Sequence, residues 1–122
     1  MSDDLIVCSP LRPEARAVRR GIGENGQVLR TGYGAARAAT AADRLRGVTF
    51  KAMAIAGTGG GVTADQQPGD LVVGTQISRI GPATPVACPS APLLAGELRR
   101  AGLRADAGKI VTVDHLFAHG QR

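Results

Sequence analysis

Residues 50–62 of the chain read FKAMAIAGTGGGV, an apolar run that passes directly into a loop rich in glycine. Because no polar residue alternates with apolar ones in most of residues 50–56, the run predicts a strand that is covered on both faces, as in a parallel sheet. Four glycines follow within residues 57–61, and glycine lets the backbone approach a ligand closely. Ligands of α/β proteins bind at the carboxyl ends of strands, so this loop, with Thr58 as its hydroxyl, is predicted to be functional.

Two earlier segments have a similar organisation. Residues 5–8 (LIVC) form a short apolar run that predicts another buried strand, and a short helix over residues 13–20 is expected after it. Pro13 suits the start of that helix, and Glu14 lies in its first turn, where the helix dipole favours an anion. A strand over residues 27–31 is followed by TGYG at 31–34 and by an alanine-rich helix over residues 35–46. A glycine loop that opens a helix is a ready anion site.

The rest of the chain completes an alternating pattern. We expect a strand over residues 71–80 that bends at Gly74, an irregular segment with four prolines over 81–92, a helix over 93–101 and a strand over 109–113. The order β-α-β-α-β-β-α-β predicts an α/β fold with a mainly parallel sheet and helices on both faces. Residues 1–122 show no repeat or linker, so one domain is predicted.

The segment 21–26 (GIGENG) matches the spelling of a dinucleotide-binding fingerprint but not its context. That motif needs a strand before it and a helix after it, whereas here a helix precedes and a strand follows. Asn25 and Gly26 are better explained as a tight turn. A nucleotide-binding oxidoreductase domain is therefore the weakest of the functions considered.

Composition limits the classes of protein. The 122 residues are 43% hydrophobic with a net charge of +5, which is ordinary for a soluble domain. No apolar run approaches the roughly 18 residues of a membrane span, and the acidic start does not resemble a secretory signal, so a cytoplasmic protein is predicted. The 15 cations are scattered and only three residues are aromatic, which predicts no nucleic-acid partner. Steering of an anionic small molecule by this charge stays open.

Cysteine and histidine residues suggest no metal site. Cys8 and Cys88 lie 80 positions apart, and Cys8 ends an apolar run, so we expect it to be a buried small hydrophobic residue and expect no disulfide. His115 and His119 have the spacing of two ligands on one helix face, but no third ligand is evident. We expect an exposed tail there and no metal.

Three stretches together resemble one superfamily. They are residues 8–14 (CSPLRPE), residues 31–38 (TGYGAARA), and residues 55–62 (IAGTGGGV) with 68–73 (PGDLVV). Their order and strand context are similar to the nucleoside phosphorylase / nucleosidase superfamily, which includes purine nucleoside phosphorylases, methylthioadenosine/S-adenosylhomocysteine nucleosidases and hopanoid-associated phosphorylases. The third pattern is the most specific. The resemblance covers most of residues 5–115.

The resemblance implies a phosphorylase/hydrolase-like fold and cleavage of the N-glycosidic bond of a purine nucleoside, such as a 5′-modified adenosine. The attacking group is phosphate or water. No cofactor is implied, although phosphate is a possible co-substrate, and homo-oligomers are usual in the superfamily. The reaction passes through an oxocarbenium-like state, as in glycoside hydrolysis, and needs a positioned nucleophile and preorganised dipoles.

The superfamily's functional residues map onto seven positions. Glu14 matches the carboxylate that activates water in the nucleosidases, and Arg12 lies where some phosphorylases place a phosphate-binding arginine. Gly32 and Gly34 match a turn near the ribose and the nucleophile. Thr58, Gly59 and Gly60 match a loop that contacts the nucleophile and the base. Two simpler roles stay open. Glu14 would be a solvated residue of the first helical turn, and Arg12 would be an ordinary surface charge.

Two superfamily elements have no counterpart in the sequence. These are a Met-Glu segment that binds ribose hydroxyls and an acidic residue that protonates the purine, and Asp114 precedes the point where they would begin. We therefore expect the chain to correspond to the N-terminal half to two thirds of such an enzyme. The alternative is a non-catalytic nucleoside- or anion-binding or assembly module that keeps the glycine loops.

Overall fold

Six strands and three helices follow one another in the computed structural model, which describes residues 4–81 and 83–113. In order they are β1 (Leu5–Ser9), α1 (Arg12–Ile22), β2 (Gln27–Arg30), α2 (Ala35–Leu45), β3 (Ala52–Ile55), β4 (Leu71–Arg79), β5 (Val86–Ala87), α3 (Ala91–Arg100) and β6 (Ala105–Thr112). The predicted α/β class is confirmed at this level. The elements divide into two units, Met1–Gly59 and Gly60–Arg122, each with one three-stranded sheet. The single domain over residues 1–122 stays a prediction.

The sheet of the first unit has the order β2-β1-β3, and both outer strands run parallel to the central strand β1. Ile6, Val7 and Cys8 are buried in β1, which explains why this strand is apolar on both faces. Cys8 is buried, as expected, and burial raises the pKa of its thiol. The third strand differs from the prediction for residues 50–56. β3 is an edge strand in which Met53 is 49% and Ile55 65% exposed, so it is not buried on both faces.

A close backbone approach shapes the turn between α1 and β2. The helix runs to Ile22, and the chain turns through residues 23–26 before β2 starts, so the context of a dinucleotide-binding loop is indeed absent. Gly26 is buried against the backbone of β1. A Cβ built there would lie 2.9 Å from the carbonyl oxygen of Leu5 and 2.7 Å from Ile22 Cδ1. Only glycine fits this position without a backbone shift.

Replacing Gly26 by alanine is expected to lower the free energy of unfolding by about 1–3 kcal/mol, because the added methyl group meets a backbone atom. The matched control is Gly21→Ala. Gly21 lies within α1 with nothing near its Cβ position, so this change is expected to stabilise the helix by up to about 1 kcal/mol. Urea unfolding measures both, and equal effects of the two substitutions would contradict the close packing at Gly26.

The helix α2 packs loosely because it is rich in alanine. Ala41 is buried and Leu45 half-buried, while the other side chains of the helix are exposed. Short side chains cannot fill the space between the end of the helix and the sheet. A groove of about 170 Å³ remains, lined by Ile6, Gln27, Val28, Leu29, Arg44, Leu45 and Val48.

The sheet of the second unit is mixed. β4 is central, β6 pairs with it in parallel, and the short strand β5 pairs with it antiparallel. The ladder between β4 and β6 shifts register between Gly74 and Gln76, which confirms the predicted irregularity at Gly74. A Cβ at Gly74 would lie 3.0 Å from Ile110 Cδ1, so the neighbouring strand packs closely over this glycine.

Three boundaries in this unit differ from the prediction, one of them the start of α3, which begins at Ala91 and not at residue 93. The proline-rich segment 81–92 is not wholly irregular, because Val86 and Ala87 retain the N–H groups that prolines lack and pair with Ile77 and Gln76. The last strand begins at Ala105, four residues earlier than residues 109–113 suggested, because pairing with β4 starts at Leu71. The helix α3 ends as expected. Gly102 has φ +93°, and the amides of residues 102 and 103 bond to the carbonyls of residues 99 and 98, which is a Schellman motif.

Candidate functional site

The three predicted loops of the first unit meet at one edge of its sheet. Because β1, β2 and β3 are parallel, the segments that follow them leave from the same edge. The amide of Thr31 donates to the carbonyl of Ser9 at 2.9 Å, and the amide of Ala56 donates to the carbonyl of Cys8 at 2.9 Å. The loops after β2 and β3 therefore begin directly on either side of the end of β1. This edge is where α/β sheets bind ligands.

Glu14 and Thr58 are in direct contact at this edge, 44 positions apart in the sequence. The Thr58 amide donates to Glu14 Oε2 at 2.6 Å, and the Thr58 hydroxyl donates to the same oxygen at 2.7 Å. Two of the residues selected from the sequence are thus joined by a pair of short hydrogen bonds. A solvated first-turn role for Glu14 does not account for this contact.

Glu14 also closes the start of α1. Leu11 is the N-cap residue, and its amide donates to Glu14 Oε1 at 2.9 Å. This is the half of a capping box that the third helical residue supplies. The carboxylate therefore accepts three hydrogen bonds, and since it has about four acceptor positions, about one remains for a water or a ligand hydroxyl.

The surroundings of Glu14 change its acidity in opposing directions. Desolvation raises its pKa, whereas the hydrogen bonds from the Thr58 hydroxyl, the Thr58 amide and the Leu11 amide lower it, and the net pKa lies below the ordinary value. Glu14 is therefore an ionised carboxylate at neutral pH. An anion of this kind orients a hydroxyl or water better than it removes a proton, because its basicity is reduced.

The lowered pKa of Glu14 makes part of the stability depend on pH. Its folded-state pKa is depressed, so the unfolded chain binds more protons and stability rises with pH through the acid range. The difference in free energy of unfolding between the wild type and Glu14→Gln is expected to be full near neutral pH. It should shrink below pH of about 4.3, the ordinary glutamate value. Urea titrations over that range measure it, and a difference independent of pH would contradict the pairing.

Gly57 is a site residue that the sequence did not single out from the other glycines. A Cβ at this position would lie 3.1 Å from Glu14 Oε2 and 3.3 Å from Pro10 Cδ. A Cβ at this position would press on Glu14, whose carboxylate would have to move by a few tenths of an ångström. The sequence signal for Gly57 was its position, directly after the predicted strand over residues 50–56 and directly before Thr58.

Ser9 is the second residue that the sequence analysis missed. It ends β1 at the same edge, is completely buried, and its Oγ is the one buried side-chain polar atom without a hydrogen-bond partner among residues 4–81 and 83–113. A buried hydroxyl without a protein partner calls for an explanation, and a water or a ligand group bound at this edge would supply one. In the sequence, Ser9 shows only as the residue before a proline.

The other site residues predicted from the sequence make fewer contacts at this edge of the sheet. Gly32 and Gly34 have φ of +86° and +95°, and Gly34 is the N-cap of α2, so the predicted turn that opens a helix is present. Arg12 starts α1 with an exposed side chain, and no hydrogen bond of the described residues joins it to Glu14 or Thr58. Gly59 has open space around its Cβ position, and Gly60 already belongs to the second unit.

A cleft in the second unit differs chemically from this edge. Its volume is about 250 Å³, and its lining includes Asp70, Arg99, Arg104 and Asp106. These charges already neutralise one another, because Arg104 pairs with Asp70 at 3.1 Å and Arg99 with Asp106 at 3.8 Å. The cleft therefore presents no unmatched charge to a ligand.

Neither a metal site nor a membrane helix is found in the part of the chain that the structure describes. No group of three or more His, Cys, Asp and Glu side chains there could hold an ion. His115, His119 and Asp114 lie outside the described residues. No helix within residues 4–81 and 83–113 is long and apolar enough to cross a bilayer.

No family model matches the chain, and no curated protein matches its sequence.

Proposed function

We propose that the chain binds a purine nucleoside, of the 5′-modified adenosine type, at the carboxyl edge of the first sheet and takes part in cleaving its N-glycosidic bond. The observation that carries this proposal is the contact of Glu14 with Thr58 across two adjacent parallel strands. Superfamily resemblance assigns both residues to the nucleophile, and the fold brings both to the edge where ligands bind.

The proposed reaction uses the charge of Glu14. Its ionised oxygen accepts a hydrogen bond from the attacking group, and the resulting alignment holds the nucleophile against the anomeric carbon of the ribose. As the bond to the purine breaks, its electron pair leaves with the base, and a nearby carboxylate stabilises the positive charge that develops on the sugar. In hydrolysis, water adds to the anomeric carbon and releases one proton to solvent, and the departing purine takes up one proton from solvent, so the products are the free sugar and the neutral base. The glycine loops Gly32–Gly34 and Gly57–Gly59 supply backbone N–H groups close to the ligand.

The same charge bears on the choice of nucleophile. An ionised carboxylate repels phosphate but attracts the hydrogen atoms of water. The positive end of the α1 dipole, which could otherwise attract phosphate, is already occupied by the carboxylate of Glu14. Arg12, which would attract phosphate, makes no described contact with Glu14 or Thr58. The geometry therefore favours water over phosphate as the nucleophile, with hydrolysis as the proposed branch.

The proposal includes further expectations from the resemblance. The two units would belong to a phosphorylase/hydrolase-like fold, the protein would be a homo-oligomer in the cytoplasm, and no cofactor would be needed. The exposed apolar residues Met53 and Ile55 on β3 are consistent with burial by further protein.

A second candidate is a nucleoside-binding module without turnover. The three hydrogen bonds that lower the pKa of Glu14 favour it, because they reduce the basicity that proton abstraction from water needs. Such a module would keep the ligand edge and hold a hydroxyl of the nucleoside on Glu14.

One experiment separates the candidates. The full chain is incubated with 5′-methylthioadenosine, with and without phosphate, and free adenine is quantified by chromatography while the melting temperature is recorded. Adenine release without phosphate supports hydrolysis, and release only with phosphate supports phosphorolysis. A higher melting temperature without release supports the binding module, since a ligand that binds only the folded state stabilises it. Neither release nor a shift would overturn both.

A further inference from the structure

Four arginines lie along one side of α1. Arg12, Arg16, Arg19 and Arg20 are all exposed, and at about 100° per residue they fall within about 100° of the helix circumference. The row extends over about 12 Å, from eight steps of about 1.5 Å. In the sequence these residues look scattered, and only the helical period brings them onto a single face. We call this set the arginine face.

The charge of this face is not compensated. Within residues 4–81 and 83–113, no ion pair or hydrogen bond joins any of the four side chains to an acidic group. The one acidic residue of α1 is Glu14, and its carboxylate is occupied by Leu11 and Thr58. The face therefore presents four positive charges to solvent.

The second unit provides an internal comparison. There the three arginines on and after α3 each pair with a carboxylate: Arg99 with Asp106, Arg100 with Glu97 and Arg104 with Asp70. The described part of the first unit holds nine Lys and Arg against four Asp and Glu, whereas the described part of the second holds five against four. Among the described residues, eight arginines have no acidic partner, and four of these lie on one face of α1, whereas the other four are spread over β2, α2 and β4.

The chemistry of the face limits its partner. Arginine binds phosphate oxygens with two parallel hydrogen bonds. Insertion into a membrane surface needs an exposed apolar side on the helix, but that side of α1 packs inward, with Ala15 buried and Val18 and Ile22 half-buried. Single strands are bound by stacking on aromatic rings, which α1 lacks. A rigid row about 12 Å long matches the width of the DNA major groove, also about 12 Å, so arginines at its two ends can reach phosphates on both strands.

We propose that the arginine face of α1 binds the phosphate backbone of double-stranded DNA without sequence preference. This function is separate from the proposed nucleoside site. It departs from the sequence-based expectation of no nucleic-acid partner, which depended on the scatter of the cations along the chain and on the small number of aromatic residues. α1 has no Asn or Gln for reading adenine, and the proposal is limited to contacts of its arginines with phosphate.

Fluorescence anisotropy with a short mixed-sequence DNA duplex tests the proposal. The dissociation constant of the wild type is expected between about 10⁻⁶ and 10⁻⁴ M, and log K should fall with log salt with a slope of about −3 to −4 for four phosphates. The double variant Arg16→Gln/Arg20→Gln is expected to lower the size of that slope by about 2. The control Arg79→Gln/Arg100→Gln removes the same net charge from the second unit. It should leave the slope near that of the wild type.

Circular dichroism shows whether each variant is folded, and both pairs are exposed, so both are expected to fold. Three results would overturn the proposal. One is no duplex binding at about 50 mM salt, and another is an equal loss of slope in the α1 variant and the control, which would indicate net charge alone. The third is binding of phosphatidylserine-containing vesicles without binding of the duplex, which would assign the face to a membrane.

Discussion

Replacing Glu14 by glutamine is expected to lower the rate of adenine release from 5′-methylthioadenosine by at least about 100-fold. The carboxylate is the proposed contact of the nucleophile, and its charge stabilises the sugar cation. Glutamine removes the charge. It also turns one oxygen into an NH₂ group, which must then face a donor, either the Leu11 amide or the two donors of Thr58. Steady-state kinetics of base release measures the effect, and it should fall mainly on kcat.

The control for this substitution is Glu24→Gln. Glu24 is exposed in the turn after α1, at the opposite end of that helix from Glu14. The substitution makes the same chemical change there, away from the proposed site. Its variant should keep the rate of the wild type. The Glu14 variant is also expected to lose about 1 kcal/mol of stability from broken hydrogen bonds, so rates are compared well below both melting temperatures. A Glu14→Gln protein with the wild-type rate would remove Glu14 from the mechanism.

Replacing Gly57 by alanine is expected to reduce the rate of base release at least about tenfold while changing stability by less than about 1 kcal/mol. The added methyl group would lie 3.1 Å from Glu14 Oε2, and the far end of a glutamate side chain moves away at low cost. The fold therefore tolerates the change, but Glu14 is displaced from Thr58. Kinetics and thermal unfolding of the same sample separate the two effects.

Gly47→Ala is the matched control for Gly57→Ala. Gly47 lies in the turn after α2, has open space around its Cβ position and has no part in the proposed site, so this change is expected to leave the rate of base release unchanged. In the amide NMR spectrum the Thr58 signal should shift in the Gly57 variant and stay in place in the Gly47 variant. A Gly57 variant with the wild-type rate, or with the Thr58 signal in place, would contradict this role of position 57.

The sequence was sufficient to predict the loops of the first unit because each carries a local signal. Three signals mark the three strands and the loops that follow them. They are the apolar run before Ser9, the glycine pair at Gly32 and Gly34, and the glycine-rich segment around Thr58. Parallel pairing then places all three loops at one edge. The contact between Glu14 and Thr58 agrees with that selection, although its chemical role stays a prediction.

Other features depend on tertiary structure and left no local signal. The edge position of β3 decides that Met53 and Ile55 are exposed, although their sequence reads like that of a buried strand. Pairing with β4 decides that Val86 and Ala87 form a strand between prolines. The close contact at position 57 comes from Glu14, 43 residues away in the chain, and cannot be predicted from the loop alone.

A titration of the ¹⁵N-labelled full chain with 5′-methylthioadenosine, followed by amide NMR, tests whether this edge of the sheet binds a nucleoside. It detects binding at the site whether or not turnover occurs. We expect shifts confined to the three loops, with the amides of Thr58, Gly57, Gly32 and Gly34 among those that move most. Shifts centred on the cleft around Arg99 and Arg104, or no shift at millimolar nucleoside, would contradict a nucleoside site at this edge.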